Sequence, residues 1–274
     1  MVAILLLLFA PFESAHASWE FLPETRHELY QTYGLFYDQQ SVGLHSGDGH
    51  LWASLAGTMA LAGDPEAASH PQLVATAAAN AGFHYNDEFN FTANTVDARA
   101  GFLFQFAWDE SLRFSVGAVH ESGHLLDGAP AQDLPDLYHP TVAQEAAVFR
   151  VLYDVDKTFR LGATFKPYFH STPAMAFFAA DQFAECFPWG AEDERKTFNP
   201  YLALGQDERG PQGHLTYTFH AQLGAYWGNH FSPDFKQTFR AVLGYYTGAD
   251  PRLKYFELRD AKMEFFYLGF MFEI

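Results

Sequence analysis

The 274-residue chain has a single cysteine, Cys186, so no internal disulfide can form and no disulfide framework holds the fold. Positive charge is scarce. Sixteen Lys and Arg stand against 33 Asp and Glu, a formal net charge of −17. That balance excludes nucleic acid as a partner, because phosphate binding draws on clustered Lys and Arg. Gly-rich phosphate loops, Walker sequences and dinucleotide fingerprints are missing, which removes the nucleotide-binding classes they mark. Long apolar runs are missing too. Only Val2 to Phe12 stands out, and it falls short of the roughly 20 residues a spanning helix needs. Ala15-His16-Ala17 follows it, a small-x-small sequence of the kind cut by signal peptidase. Met1 to Ala17 is therefore expected to be a removed export signal, with residues 18–274 as one mature domain. No fixed-period repeat and no Pro/Gly/Ser-rich linker divides it.

What is abundant is aromatic: 29 Phe and 14 Tyr, with 49% of the chain hydrophobic. This apolar material alternates. From Leu215, the positions Tyr217, Phe219, Ala221, Leu223, Ala225 and Trp227 are apolar, while Thr216, Thr218, His220 and Gln222 between them are polar. The same period of two runs through Phe159 to Phe165, through Phe235 to Tyr245, and through Phe266, Leu268, Phe270, Phe272 and Ile274. Period two means β-strands with one oily and one wet face. An exported chain of this pattern, with no spanning helix, reads as an all-β transmembrane antiparallel up-and-down β-barrel of about 12 strands. An exported soluble β-sandwich is the competing fold.

Strands are expected near Tyr30, Leu51, Val74, Ala98, Phe114, Val148, Leu161, Phe177, Leu202, Phe219, Leu243 and Phe270. The connections at Asp109-Glu110 and Asp156 look tight and those at Gly123 to His139 and Ala249 to Arg259 long, which suggests one rim of short turns and one of long loops. An even count puts both termini on the periplasmic side. The expected address is the bacterial outer membrane, with membrane lipids and the outer-membrane assembly machinery as partners.

The wet face carries charge. Lys157, Arg160, Lys166, Lys236 and Arg240 point inward by parity and, with Asp97, Arg99 and Glu185, form an internal network that either plugs the barrel or lines a narrow pore. His214 and His220 fall on the same face.

One segment breaks the oily face. Residues 113–127 read RFSVGAVHESGHLLD. If Phe114 and Val116 face lipid, His120 and Ser122 face it as well, where unpaired polar groups lose their hydrogen bonds to water. Cα atoms two residues apart on a strand are separated by about 6.6 Å, so an imidazole can reach the neighbouring hydroxyl and take its proton. The next strand breaks its oily row at Glu145, and antiparallel pairing can bring that carboxylate to His120 as an orienting acid. Three readings stand: a lipid acyl-ester hydrolase with Ser122 as nucleophile, His120 as base and Glu145 behind it; strand-end capping by His120, Ser122, His124, Asp127 and Glu145; and a metal held by His120, His124 and Asp127.

The span HESGHLLDG, preceded by VDARAGFLFQFAW and followed by AQEAAVFR and Tyr245-Tyr246-Thr247-Gly248, resembles a family of uncharacterised predicted outer-membrane barrel proteins with an H-x-S-x-H-x-x-D stretch. That resemblance implies a barrel and no particular activity. Locally, the outward H-x-S pair is similar to outer-membrane phospholipase A and the lipid A deacylase, which implies His120 as base, Ser122 as nucleophile and Glu145 as third member. The sequence departs from them after the serine, at Gly123-His124, and in the longer loop before Glu145. The residues call for no cofactor; calcium enters only through the phospholipase resemblance. The alternative function is a non-enzymatic barrel, a narrow pore or a structural element.

Overall fold

In the computed structural model the described residues are 19–23, 41–47, 49–64, 66–67, 69–85, 91–126, 141–156, 158–172, 177–189, 198–209, 215–227, 238–251 and 262–273. The expected export signal, the strand expected near Tyr30, and Asp127, Lys157, His214, Lys236 and Ile274 lie outside them.

Among the described residues thirteen strands follow in chain order: β1 (Glu20–Phe21), β2 (Ser41–Gly47), β3 (His50–Gly63), β4 (Gln72–Tyr85), β5 (Phe91–Ala107), β6 (Leu112–Leu125), β7 (Thr141–Asp154), β8 (Phe159–Thr172), β9 (Phe178–Cys186), β10 (Phe198–Arg209), β11 (Thr216–Trp227), β12 (Thr238–Ala249) and β13 (Lys262–Glu273). From β2 to β13 each strand pairs antiparallel with the next, and β13 returns to pair with β2. The sheet is a closed twelve-strand barrel, so it has no second layer, and the sandwich is excluded. The first slot is filled by β2. The two-residue β1 adds to the far end of β3, Glu20 opposite Gly63.

Parity sorts the side chains as the sequence pattern requires. On β11, Tyr217, Phe219, Leu223 and Trp227 are exposed outside, while Thr218, His220 and Gln222 are buried inside. On β13, Phe266, Leu268, Phe270 and Phe272 face out and Phe265, Tyr267 and Met271 face in. Strands of this kind thus offer an apolar outer strip, and no helix among the described residues covers it.

The rim that receives the ends of β3 and β13, here the terminal rim, carries tight turns closed by aspartates. Asp109 Oδ1 accepts from the backbone N–H groups of Ser111 and Leu112, both at 2.8 Å. Asp156 Oδ1 accepts from those of Thr158 (2.7 Å) and Phe159 (2.8 Å). Such Asx turns are why Asp-x-Ser and Asp-x-Thr end a strand. The long connections 126–140 and 250–261 lie on the opposite, far rim.

The rims do not sort cleanly, however. Residues 187–197 and 228–237 are long connections on the terminal rim, and residues 48–49 make the shortest link, on the far rim. Closure fixes strand pairing but not the chain between strand ends, and lengthening a loop costs little.

Inside, aromatic rings lie against the wall where the facing strand offers glycine. Phe183 is opposite Gly162, Tyr201 opposite Gly224 and Tyr267 opposite Gly244. A Cβ on Gly224 would come within 2.5 Å of the Tyr201 ring, and one on Gly162 or Gly244 would fall on Phe183 or Tyr267. The missing side chain is what lets each ring lie flat along the barrel.

Candidate functional site

The polar break in the outer wall is real and is larger than the sequence reading made it. His120 on β6 is directly opposite Glu145 on β7, and Glu145 is opposite His170 on β8. The His120 Nδ1–H donates to Glu145 Oε1 at 2.9 Å. The His170 Nδ1–H donates to the other carboxylate oxygen, and His170 Nε2 lies 3.5 Å from Thr172 Oγ1. One carboxylate therefore ties two imidazoles on three adjacent strands. His120 and His170 remain open to the outside, with 48% and 59% of their side-chain surfaces exposed.

His170 escaped the sequence reading for a physical reason. On β8 the even positions Arg160, Thr164 and Lys166 face inward, and plain alternation would put His170 inside with them. The β7–β8 ladder slips by one residue: Tyr168 is opposite Ala146 while His170 is opposite Glu145, leaving Phe169 without a partner. A bulge of this kind inverts the facing of everything after it. Pro167 was the legible signal, because a proline inside a strand pattern marks an edge or a bulge.

Ser122 takes its expected place on the outer face, between Ala98 of β5 and Ala143 of β7. It is 8% exposed. Among the described residues no hydrogen bond joins it to His120, whose Nδ1 is engaged by Glu145. His124 continues the same face, opposite Val96. Asp127, the third member of the metal reading, lies outside the described residues, and among those described no group of three or more His, Cys, Asp or Glu is arranged to hold a metal ion.

The surroundings of the site are built from small side chains. Reading across the strands, one outward row runs Ala77, Ala100, His120, Glu145, His170, and the next runs Ala79, Ala98, Ser122, Ala143, Thr172. Below them, toward the terminal rim, Phe104, Val116 and Phe149 restore bulk. The level can be placed against a row of aromatic residues around the terminal rim. Ring centroids there are 5.4 Å apart for Trp189 and Phe198, 5.2 Å for Phe198 and Trp227, 5.5 Å for Trp227 and Phe239, and 5.1 Å for Phe239 and Phe272. On β6 this row is represented by Phe114, stacked on Phe106 at 5.4 Å. Six residues separate Phe114 from His120, about 20 Å along a strand and about 15 Å along the axis at a tilt near 40°. His120 thus sits in the half of the outer wall nearer the far rim.

The interior is the second candidate. Toward the far rim, Glu121 Oε1 is 3.1 Å from Arg99 Nε and 3.0 Å from Lys166 Nζ, and His220 Nε2 is 3.1 Å from Asp207 Oδ2. Toward the terminal rim, Asp154 pairs with Arg113 and, at 2.7 Å, with Arg160, whose other arm lies 3.9 Å from Glu185. Arg240 is fully buried. It donates to Tyr226 OH at 2.8 Å, and its guanidinium carbon lies 5.3 Å and 5.9 Å from the ring centroids of Tyr226 and Tyr201. The inward charges expected at Arg99, Arg160, Lys166, Glu185 and Arg240 are all found inside. Arg113, Asp154 and Glu121 belong to the network too; the alternation already puts Arg113 and Glu121 on the face opposite Phe114, while Asp154 was not singled out.

No family model matches the chain and no curated protein matches it, so the resemblance to uncharacterised barrels and to the two lipid hydrolases finds no support there. Among solved structures the chain is similar to a KdgM porin, with 7% identity and a TM-score of 0.47, over 85% of this chain and 99% of the other. It is also similar to a KdgM porin in complex with disordered oligogalacturonate, with 8% identity and a TM-score of 0.47, over 85% and 98%.

Proposed function

We propose that this chain is an outer-membrane barrel without enzymatic activity, whose interior is a narrow, ion-paired passage for small hydrophilic solutes. The membrane placement is supported by an uncovered apolar outer wall bounded at the terminal rim by aromatic rings, the construction that suits a bilayer. The passage is carried by one observation: ion-paired charge runs along the inside, and part of it stays wet. The side chains of Arg99 and Asp207 keep 30% and 28% of their surface exposed. Toward the terminal rim, among the described residues, the interior is filled by side chains, with Arg160, Glu185, Arg240 and the rings of Tyr201 and Tyr226 buried.

Refolded protein in planar bilayers tests this. Small unitary conductance is expected, larger in Arg240→Ala and unchanged in Ser122→Ala. A silent wild type together with a silent Arg240→Ala would sink it.

A second reading, lipid acyl-ester hydrolysis, is favoured by a specific observation: the 2.9 Å bond from His120 to Glu145 is the base-to-orienter contact that such a site requires. It needs Ser122 to come within reach of the imidazole and of a substrate, from a position that is now covered. Turnover of phospholipid or lipid A by refolded protein, abolished in Ser122→Ala with the barrel intact, is the expected outcome. Equal turnover in that variant removes the reading.

A further inference from the structure

We infer that His50 and His84, at the far-rim mouth of the barrel, form a two-imidazole site for a first-row transition-metal ion such as Zn2+ or Cu2+. The inference is independent of whether the interior conducts or Ser122 reacts.

Placement comes first. His50 on β3 and His84 on β4 are direct partners in the ladder, and both stand at the far-rim ends of their strands. They belong to the even positions that turn Trp52, Ser54 and Thr58 of β3 and Gln72, Val74 and Thr76 of β4 into the interior. The pair therefore lines the mouth and not the lipid-facing wall. His84 is exposed and His50 half-buried, so an ion reaches them from the medium.

Spacing comes second. A metal bonded to a ring nitrogen at about 2.0–2.1 Å stands roughly 3.2 Å from that ring's centroid, so two imidazoles on one tetrahedral ion have centroids about 5.2 Å apart. Those of His50 and His84 are 5.1 Å apart, and their planes are inclined by 58°, so the rings do not stack on one another. His84 takes part in no hydrogen bond or ion pair among the described residues, which leaves its ring nitrogens open to an ion. In the outer-wall triad, by contrast, Glu145 occupies the Nδ1 of both histidines.

The site is also held in shape. The His50 ring is stacked on Trp52 at 5.5 Å, and Trp52 on Phe265 at 5.2 Å. The Tyr85 N–H donates to the Gly49 carbonyl at 3.0 Å, which ties the end of β4 to the short link before β3. Ligands fixed on paired strands bind a metal with less reorganisation than ligands on loops. Imidazole nitrogen suits zinc, copper and nickel, whereas magnesium and calcium take oxygen. The pair supplies two ligands, and water or a polar group of a solute fills the other positions.

Titration of the untagged, refolded full chain with Cu2+ in detergent micelles, followed by pulsed EPR, tests it. One strongly bound equivalent is expected, with the signature of two coordinated imidazoles, displaced by Zn2+ and not by a large excess of Ca2+. His84→Ala is expected to bind Cu2+ at least about tenfold more weakly and to lose the two-imidazole signature, because metal affinity follows the number of ligands the fold presents. Equal affinity in that variant, a wild-type signal without two imidazoles, or displacement by Ca2+ would each overturn the inference. Should His84→Ala not fold, His84→Gln decides on the same readouts: loss of the signature supports the site, and its persistence overturns it.

Discussion

The outer wall of this barrel is made of two unlike arcs. From β4 to β7 the outward rows are dominated by alanine and broken by His120, Ser122 and Glu145, whereas from β9 to β13 they are carried by Leu202, Leu204, Phe219, Leu223, Leu243, Phe266 and Phe270, all exposed. The insides differ in step. Behind the small arc lies an aliphatic cluster of Val74, Leu103, Val119 and Val148. Behind the bulky arc lie Tyr201, Tyr226, Tyr246 and Tyr267, two of them laid over glycines. Both arcs obey the same alternation, so period two alone says where a side chain points and nothing about the relief of the surface it makes. Relief comes from size, which the alternation does not record.

Four substitutions sharpen or break that contrast. Leu243→Arg places a charge in the middle of the bulky arc and is expected to cost about 2–4 kcal/mol, read as a lowered denaturant midpoint for folding into vesicles. Gly244→Ala pushes a methyl into the Tyr267 ring, and overpacking of this kind costs about 1–3 kcal/mol; a midpoint equal to wild type would mean that the ring does not lie where the facing glycine places it. His120→Arg puts the same charge as the first variant on the other arc nearer the far rim, where the cost falls to about 0–1 kcal/mol. If it costs as much as Leu243→Arg, the depth assigned to the histidines is wrong. Gly57→Ala, where an added Cβ meets nothing within 4 Å, should change stability by less than about 0.5 kcal/mol.

Much of this was legible in the letters. Alternation gave eleven of the twelve wall strands, with the first slot filled by Ser41–Gly47, and it gave the outward facing of His120, Ser122 and Glu145 because each lies on an unbroken stretch of its strand. The pairing of His120 with Glu145 followed from adjacency in an up-and-down sheet. His170 was not legible by counting, since one unpaired residue at Phe169 reverses the face, and only Pro167 hinted at it. The rings over glycine were hidden for another reason. Gly162, Gly224 and Gly244 are neutral in any hydropathy pattern, and their partners are defined by register, which the chain reveals only once strands are aligned. Loop lengths at the two rims misled because they are nearly free of energetic constraint.

Of the described wall strands β2 is the shortest, and it carries the closing joint. Among the described residues only six register pairs join it to β13, while twelve join β12 to β13 and thirteen join β5 to β6. The joint between first and last strand is thus the shortest zipper in the ring, the one with fewest hydrogen bonds to break when the circle opens into a ribbon, and the last to become profitable when the ribbon is rolled into a circle.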